Sequence, residues 1–191
     1  MRRYIIGDSI VRRLAWRKVQ LAGGGEVLYH GQGGLRLEGL LDEIATFLYR
    51  RRFPTTLIIH CGTNNVLMEK KSIVRARVEE VLLALRRWLP WTRIIWSDVL
   101  PRHAYFYENK KGAGKMNTLD LNQHVHNKVC KLTPGMHYIR HSQNFAPHER
   151  CLFISDFVHL SKEGINRLLY NWEQALLFFN AYPQAIGHPW E

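Results

Sequence analysis

Cysteine, long apolar runs and negative charge are all scarce in this sequence. Its 191 residues include only Cys61, Cys130 and Cys151, an odd number with no Cys-X-X-Cys pair. That pattern argues against a disulfide framework and a cysteine-built zinc site, and it favours a reducing, intracellular compartment, cytoplasmic or nuclear. We expect all three cysteines to be small buried hydrophobic residues. No apolar run approaches the length of a membrane span, so no transmembrane segment is predicted.

The scarcity of acidic residues leaves a net charge of +11, from 27 Lys and Arg against 16 Asp and Glu. Such an excess favours a polyanionic partner, either nucleic acid or an anionic membrane surface. Part of it has a structural explanation, because Arg50 to Arg52 and Arg86-Arg87 stand at the ends of predicted helices, where cations are favourable. The total exceeds what helix ends require, so single-stranded nucleic acid remains a candidate partner.

Strand and helix patterns alternate along the chain. The composition, 46% hydrophobic and 23% charged, is that of a globular protein, and the length suits one domain, assigned to 1–191. Short apolar runs predict strands at 3–8, 26–30, 55–60, 93–99 and 137–141. Helical periodicity predicts helices at 9–20, 35–52, 72–88, 117–131 and 161–180, the last with Ser161 as its N-cap. The chain starts directly before the first predicted strand, so an origin as one domain of a longer protein stays open.

This alternation predicts an α/β fold with a mostly parallel sheet of about five strands and helices on both faces. Right-handed crossovers leave few topologies, and the flavodoxin-like strand order 2-1-3-4-5 in a three-layer sandwich is the one we expect.

Four short polar motifs stand where predicted strands end or before the last helix. They are Gly7-Asp8-Ser9, Gly31-Gln32-Gly33-Gly34, Gly62-Thr63-Asn64-Asn65 and Asp156-Phe157-Val158-His159. Parallel sheets form sites at the carboxyl ends of their strands. With strand one between strands two and three, the first three motifs converge there.

Together these motifs contain the groups that acyl transfer needs. Ser9, at a helix N-terminus, is a candidate nucleophile, His159 its base, and Asp156 the carboxylate that orients the imidazole. The Asn64 amide and the Gly34 N–H are candidate donors to an oxyanion. Each motif alone has an ordinary explanation as a turn, a loop or surface residues, and for Gly7-Asp8-Ser9 alone a strand-to-helix turn capped by Asp8 or Ser9 is the better one. Their coincidence favours a catalytic site.

The four motifs resemble the first, second, third and fifth blocks of the SGNH (GDSL-type) hydrolase superfamily. The resemblance implies a serine esterase without metal or other cofactor that acts on a small ester, such as an acetyl ester. Carried over residue by residue, Ser9, His159 and Asp156 form the triad, and Ser9 N–H, Gly34 N–H and the Asn64 side chain form the oxyanion hole. Two positions depart from the family pattern, in which aspartate is usual in place of Asn65 and common in place of Leu35. We expect these departures to alter loop support rather than the chemistry.

A narrower resemblance concerns esterase domains encoded in vertebrate transposable elements. It is carried by residues 7–13, 96–102 and 158–161. In some retrotransposon first open reading frames such a domain accompanies nucleic-acid-binding segments, which would give the basic surface a purpose.

The loop after the fourth strand is a candidate contact for substrate or nucleic acid, and a mobile basic loop is the equally weighted alternative. Its cations and aromatics are Arg102, His103, Tyr105, Tyr107, Lys110 and Lys111.

Two further groups of residues have ordinary explanations. His124 and His126 lack a third metal ligand and are interpreted as surface imidazoles, so no metal site is assigned. Trp88, Trp91 and Trp96 are interpreted as core or rim residues rather than a base-stacking platform.

Three hypotheses follow from the sequence. The first is a serine esterase acting through an acyl-serine, with an optimum at neutral to mildly alkaline pH because the imidazole must be unprotonated. The second is a nucleic-acid-binding module with weak or vestigial catalysis. The third is an enzyme for lipid esters at a membrane surface. The acyl and alcohol groups and the oligomeric state are not decided by the sequence.

Overall fold

The computed structural model describes residues 1–16, 21, 25–66, 68–101, 113–129, 131–132, 135–141, 145 and 149–188. The loop at 102–111, with its candidate contact residues, and Cys130 lie outside this range. Strands β1 to β5 are Arg2–Gly7, Glu26–Gly31, Thr56–His60, Arg93–Ser97 and Met136–Ile139. Helices α1 to α6 are Ser9–Trp16, Leu37–Leu48, Thr63–Val66, Lys71–Trp88, Ala113–Val129 and Lys162–Ala181. A short 3₁₀ helix spans Arg150–Leu152.

The five strands form one sheet in the order β2-β1-β3-β4-β5, and every neighbouring pair is parallel. The predicted order is confirmed. In the register, Gly7 at the end of β1 lies opposite Gly31 of β2 and His60 of β3. The loops that leave these three strands therefore start side by side at the carboxyl edge of the sheet.

Alternate residues of each strand feed two cores, one on each face of the sheet. Tyr4 and Ile6 belong to one core with the buried faces of α2, α4 and α5, whereas Ile5 belongs to the other with α1 and α6. Both faces are covered, which is why the strands read as nearly continuous apolar runs. The result is the three-layer α/β sandwich that the sequence predicts.

Helix boundaries differ from the predicted ones where local signals were weak. Helix α2 ends at Leu48, not at residue 52, because Arg50 adopts a left-handed backbone (φ 65°) that no α-helix continues through. The short α3 was not predicted. The N-cap at Ser161 is confirmed, since its Oγ accepts the Gly164 N–H at 3.1 Å. No helix within the described ranges is long and apolar enough to cross a membrane.

The expectations about burial are confirmed for Cys61 and Trp96 and were wrong for Cys151, Trp91 and His126. Cys61 is buried as expected, but Cys151 is exposed in the 3₁₀ helix. Trp96 lies in the core, whereas Trp88 and Trp91 are 47% and 95% exposed. His126, interpreted above as a surface imidazole, is buried. Whether each of these side chains is buried depends on which distant segment packs against it, and the local pattern of apolar residues does not contain that information.

Candidate active site

Ser9 lies at the first position of α1, directly after β1. The neighbouring Asp8 is buried, and its Oδ1 accepts the N–H of Ile10 at 3.0 Å, so the carboxylate of Asp8 caps the helix. The sequence left open whether Asp8 or Ser9 caps α1. Since Asp8 does so, the Ser9 hydroxyl is available for another partner.

The second part of the site is a tight turn before α6. Ile154 N–H donates to His159 O at 2.9 Å, and Phe153 pairs with Leu160 in an antiparallel bridge, so the segment folds back on itself. Phe157 lies at the tip of the turn with φ 56°, a left-handed conformation that is strained for an aromatic residue. The turn presents Asp156 and His159 on the same side.

A hydrogen-bonded series joins the three predicted triad residues. His159 Nε2 lies 3.0 Å from Ser9 Oγ, and His159 Nδ1 lies 2.6 Å from Asp156 Oδ2. The other carboxylate oxygen, Oδ1, accepts the backbone N–H groups of Val158 and His159, both at 2.9 Å. The carboxylate is thus fixed by the turn that also carries the imidazole. The 150 residues between Ser9 and His159 are bridged by this contact.

The carboxylate of Asp156 is held in its ionised form. Burial alone would raise its pKa, but hydrogen bonds from the His159 backbone, the His159 ring and the Val158 backbone outweigh that effect and lower the pKa to about 2. An ionised carboxylate on Nδ1 favours the tautomer that leaves Nε2 as acceptor towards the serine hydroxyl.

A small pocket opens over Ser9 and His159. It has a volume of about 290 Å³, part of it open to solvent. Its wall is mostly apolar and includes Ile10, Leu100 and Phe153.

The two candidate oxyanion donors from other loops are held next to each other. Asn64 Nδ2 donates to the carbonyl oxygen of Leu35 at 2.9 Å, which ties the start of α3 to the residue after Gly34. Gly34 has φ 72°, a conformation that glycine adopts without strain. Neither residue belongs to the pocket wall. Because β2 and β3 flank β1 in the sheet, the loops that carry Gly34 and Asn64 start next to the loop that carries Ser9.

Asn65, one of the two departures from the family pattern, is a buried junction. Its Oδ1 accepts the Leu37 N–H at 2.9 Å, and its Nδ2 donates to Glu38 Oε2 at 2.9 Å and Glu69 Oε1 at 2.7 Å. Arg77 pairs with both carboxylates. Burial would raise the pKa of Glu38, but its hydrogen bonds, from Asn65 and Arg77 among others, lower it below the usual range. Asn65 thereby clamps the loop that carries Gly34 to the loop that carries Asn64.

Sequence reasoning missed a buried polar chain beneath the site. Ser97 Oγ lies 2.9 Å from His60 Nδ1 and 2.7 Å from His141 Nε2, and it accepts the Trp172 N–H at 2.9 Å. Burial lowers the pKa of both imidazoles, which keeps them neutral. These partners are 37 to 75 residues apart, so no local pattern could reveal them.

The structure shows separate partners for His124 and His126, the two histidines considered above as metal ligands. His126 Nε2 contacts the buried Asp98 at 2.7 Å, and the His126 ring stacks on Tyr138. His124 contacts Glu79 instead. Across the residues that the structure describes, no group of three or more His, Cys, Asp or Glu side chains could hold a metal ion.

No protein-family model matches this sequence, and no curated protein matches it. Solved structures match its backbone. A member of the lipolytic G-D-S-L family from Veillonella parvula has a TM-score of 0.70 at 14% identity, covering 94% of this chain and 98% of its own. A lipase/acylhydrolase from Enterococcus faecalis has a TM-score of 0.68 at 16% identity, covering 92% and 95%. An acetyl esterase variant solved with an acetate ion has a TM-score of 0.67 at 14% identity, covering 94% and 97%.

At these identities the similarity establishes a shared fold. The chain therefore has the three-layer fold of G-D-S-L-type lipolytic hydrolases, the group that its motifs resemble. The esterase domain of the ZfL2-1 ORF1 protein, from a zebrafish retrotransposon, aligns at 25% identity over 93% of this chain and 99% of its own, with a TM-score of 0.48. That score is too low to support an argument, so the retroelement context stays a prediction.

Proposed function

We propose that this protein is a serine esterase of the SGNH type that hydrolyses a small acyl ester through an acyl-serine intermediate. The observation that carries the proposal is the unbroken series from Ser9 Oγ through the His159 imidazole to the Asp156 carboxylate. A serine hydroxyl is a weak nucleophile, and this series supplies both the base and the group that orients the base.

In the proposed reaction, Ser9 Oγ attacks the ester carbonyl carbon while its proton passes to His159 Nε2. The carbonyl oxygen takes the electron pair and becomes an oxyanion. When the oxyanion collapses, the bond to the alcohol breaks and His159 gives its proton to the departing oxygen. Water then attacks the acyl-serine by the same route, releasing the acid and restoring Ser9.

The oxyanion needs donors that are already in place. The Ser9 N–H at the start of α1, the Gly34 N–H and the Asn64 amide are the groups we assign to it. The N–H groups at a helix N-terminus favour negative charge, and preorganised donors of this kind are each worth about 10²- to 10³-fold in kcat.

The pocket supports a short acyl group. The pocket beside Ser9 is small, because its volume of about 290 Å³ includes space that is open to solvent. Among the residues that the structure describes, the wall offers no lysine or arginine to an acidic acyl chain. We therefore expect acetyl and propionyl esters to be cleaved faster than octanoyl esters.

The test is hydrolysis of nitrophenyl acetate by the wild type and by Ser9→Ala, with both proteins checked for the same folded state. We expect the variant to lose at least about 10³-fold in kcat. Ser72→Ala is the matched control, because Ser72 is exposed at the start of α4 and does not contact the pocket. Equal rates for wild type and Ser9→Ala would refute the assignment.

A further inference from the structure

A second surface lies at the opposite edge of the sheet from the candidate active site. Because all five strands are parallel, their amino ends share one edge, and the loops after α2 and α4 meet there. Thr92 Oγ1 donates to Pro54 O at 2.8 Å, and Arg93 N–H donates to Thr55 O at 3.0 Å, so the two loops are in contact. We call residues 49–53 together with 87, 88 and 91 the amino-edge surface.

This surface combines exposed aromatic rings with exposed arginines. The aromatic side chains and their exposed fractions are Tyr49 (69%), Phe53 (65%), Trp88 (47%) and Trp91 (95%). The exposed arginines are Arg50, Arg51, Arg52 and Arg87. Exposed rings of this size in one place are unusual for a surface that faces only water.

The positive charge of the amino-edge surface is not balanced locally. Segments 44–68 and 81–97 contain no Asp or Glu. Elsewhere on α4, α5 and α6, Arg75, Arg77, Lys128 and Arg167 pair with carboxylates. Of the ion pairs found among the described residues, none involves an arginine of the amino-edge surface. The net charge of +11 is thus concentrated in part at this edge.

The backbone conformation of Arg50 is a second observation that favours a binding function for the arginines of this surface. Arg50 lies two residues after the end of α2 with φ 65°, where glycine would adopt the same conformation without strain. An arginine keeps the strain and adds a positive charge. Strain of this kind is typical of positions retained for function.

We propose that the amino-edge surface binds single-stranded nucleic acid. Arginines that lack carboxylate partners would contact phosphates, and the neighbouring rings would stack on bases, which is how sequence-tolerant single-strand binding works. Exposed aromatic rings beside arginines also occur at membrane interfaces, so an anionic bilayer is the alternative occupant that the test must exclude. A second copy of the chain docked symmetrically here would place arginines against arginines. Binding at this edge is separate from the proposed esterase reaction.

The first test measures anisotropy of a labelled 20-nucleotide oligouridine at several salt concentrations. The variant is the triple substitution Arg50→Gln, Arg52→Gln and Arg87→Gln. Each lost phosphate contact should lower the slope of log affinity against log salt by about 0.7, so we expect a slope shallower by roughly 2 and weaker binding at low salt. The matched control removes the same charge from exposed positions at the opposite edge, with Lys70→Gln, Lys71→Gln and Lys162→Gln.

Two single variants separate stacking and strain from charge. Trp91→Ala should weaken binding by roughly fivefold to a hundredfold with an unchanged salt slope, whereas Tyr170→Ala, an exposed ring on α6, should not. Arg50→Gly should raise the melting temperature while weakening binding. All these variants should keep wild-type ester hydrolysis, because none touches the candidate active site.

Equal effects of the arginine and lysine triple variants would overturn the assignment of the surface, as would no binding of the oligonucleotide at low salt. Loss of binding to phosphatidylserine vesicles in the arginine variant, without any oligonucleotide binding, would identify a membrane surface instead. A wild-type dimer that the arginine variant converts to monomer would identify a second copy of the chain as the occupant and likewise refute the proposal.

Discussion

Replacing Asn65 with aspartate should strongly destabilise the fold around the candidate active site. The Asn65 amide donates to Glu38 and Glu69, and its oxygen accepts the Leu37 N–H. An aspartate would keep only the bond from Leu37, and it would add a third carboxylate beside those of Glu38, which is exposed, and Glu69, which is partly buried. A hydrogen bond to a charged group such as Glu69 contributes about 1.5–3 kcal/mol, and the solvent-screened bond to the exposed Glu38 about 0.5–1.5 kcal/mol, so losing both lowers the free energy of unfolding by about 2–4.5 kcal/mol. That is a large share of the 5–15 kcal/mol typical of a domain.

The loss should depend on pH in a definite direction. A carboxylate introduced among two others takes up a proton more readily when folded than when unfolded, so its folded pKa is raised. The substitution therefore costs least stability below the ordinary pKa of aspartate. The cost grows as pH rises from that value through the raised folded pKa. Urea unfolding at pH 5 and pH 8 measures this. We expect the larger deficit for Asn65→Asp at pH 8, and a deficit below about 1 kcal/mol there would refute the reasoning.

A second substitution can restore the missing donor. Adding Glu38→Gln to Asn65→Asp places an amide N–H against the introduced carboxylate and removes one negative charge. We expect part of the lost stability to return. Glu26→Gln, at an exposed position at the start of β2, removes the same charge far from the cluster and should not restore it. Equal recovery from both changes would show that net charge, not the hydrogen bonds of Asn65, is responsible.

Three further predictions concern catalysis and stability. Asp156→Asn should lower kcat for nitrophenyl acetate by about 10³- to 10⁴-fold with little change in KM, since the imidazole loses its orienting carboxylate; a loss under tenfold contradicts this. Gly7→Ala should strongly lower the melting temperature, because the new Cβ would overlap the His60 carbonyl oxygen of β3. At Gly34 a new Cβ meets open space and only the positive φ of 72° opposes it, so Gly34→Ala should lower the melting temperature much less; the reverse ranking would contradict the reasoning. The free energy of unfolding should fall as pH drops from about 6.5 towards 4. Burial lowers the pKa of His188 to about 4 and that of His141 well below its usual value, so in this range the unfolded chain binds protons that the folded chain does not. A urea midpoint that stays constant across that range would contradict this prediction.

The fold and the pairing of Asp156 with His159 were predictable because their signals are local. The alternation of apolar runs and amphipathic helices indicated the layers. Right-handed crossovers left few topologies, of which the strand order 2-1-3-4-5 was the expected one. The hydrogen bond between Asp156 and His159 spans three residues, so one turn is enough to form it. The oxyanion assignments of Gly34 and Asn64 stay predictions. The burial of His126 and the exposure of Trp91 were not predictable, because both depend on which residues another segment covers.

The sequence by itself determined which groups are present and at which end of each strand they stand, since strand length, turn residues and helix caps act over a few residues. Only the tertiary structure decided the rest: that Asp8 caps α1 while Ser9 faces His159, that Asn65 joins two glutamates, and that the arginines after α2 gather with exposed rings at the far edge. These arrangements join residues tens of positions apart. They arise when packing against a common sheet fixes the relative positions of segments, and no local pattern encodes that geometry.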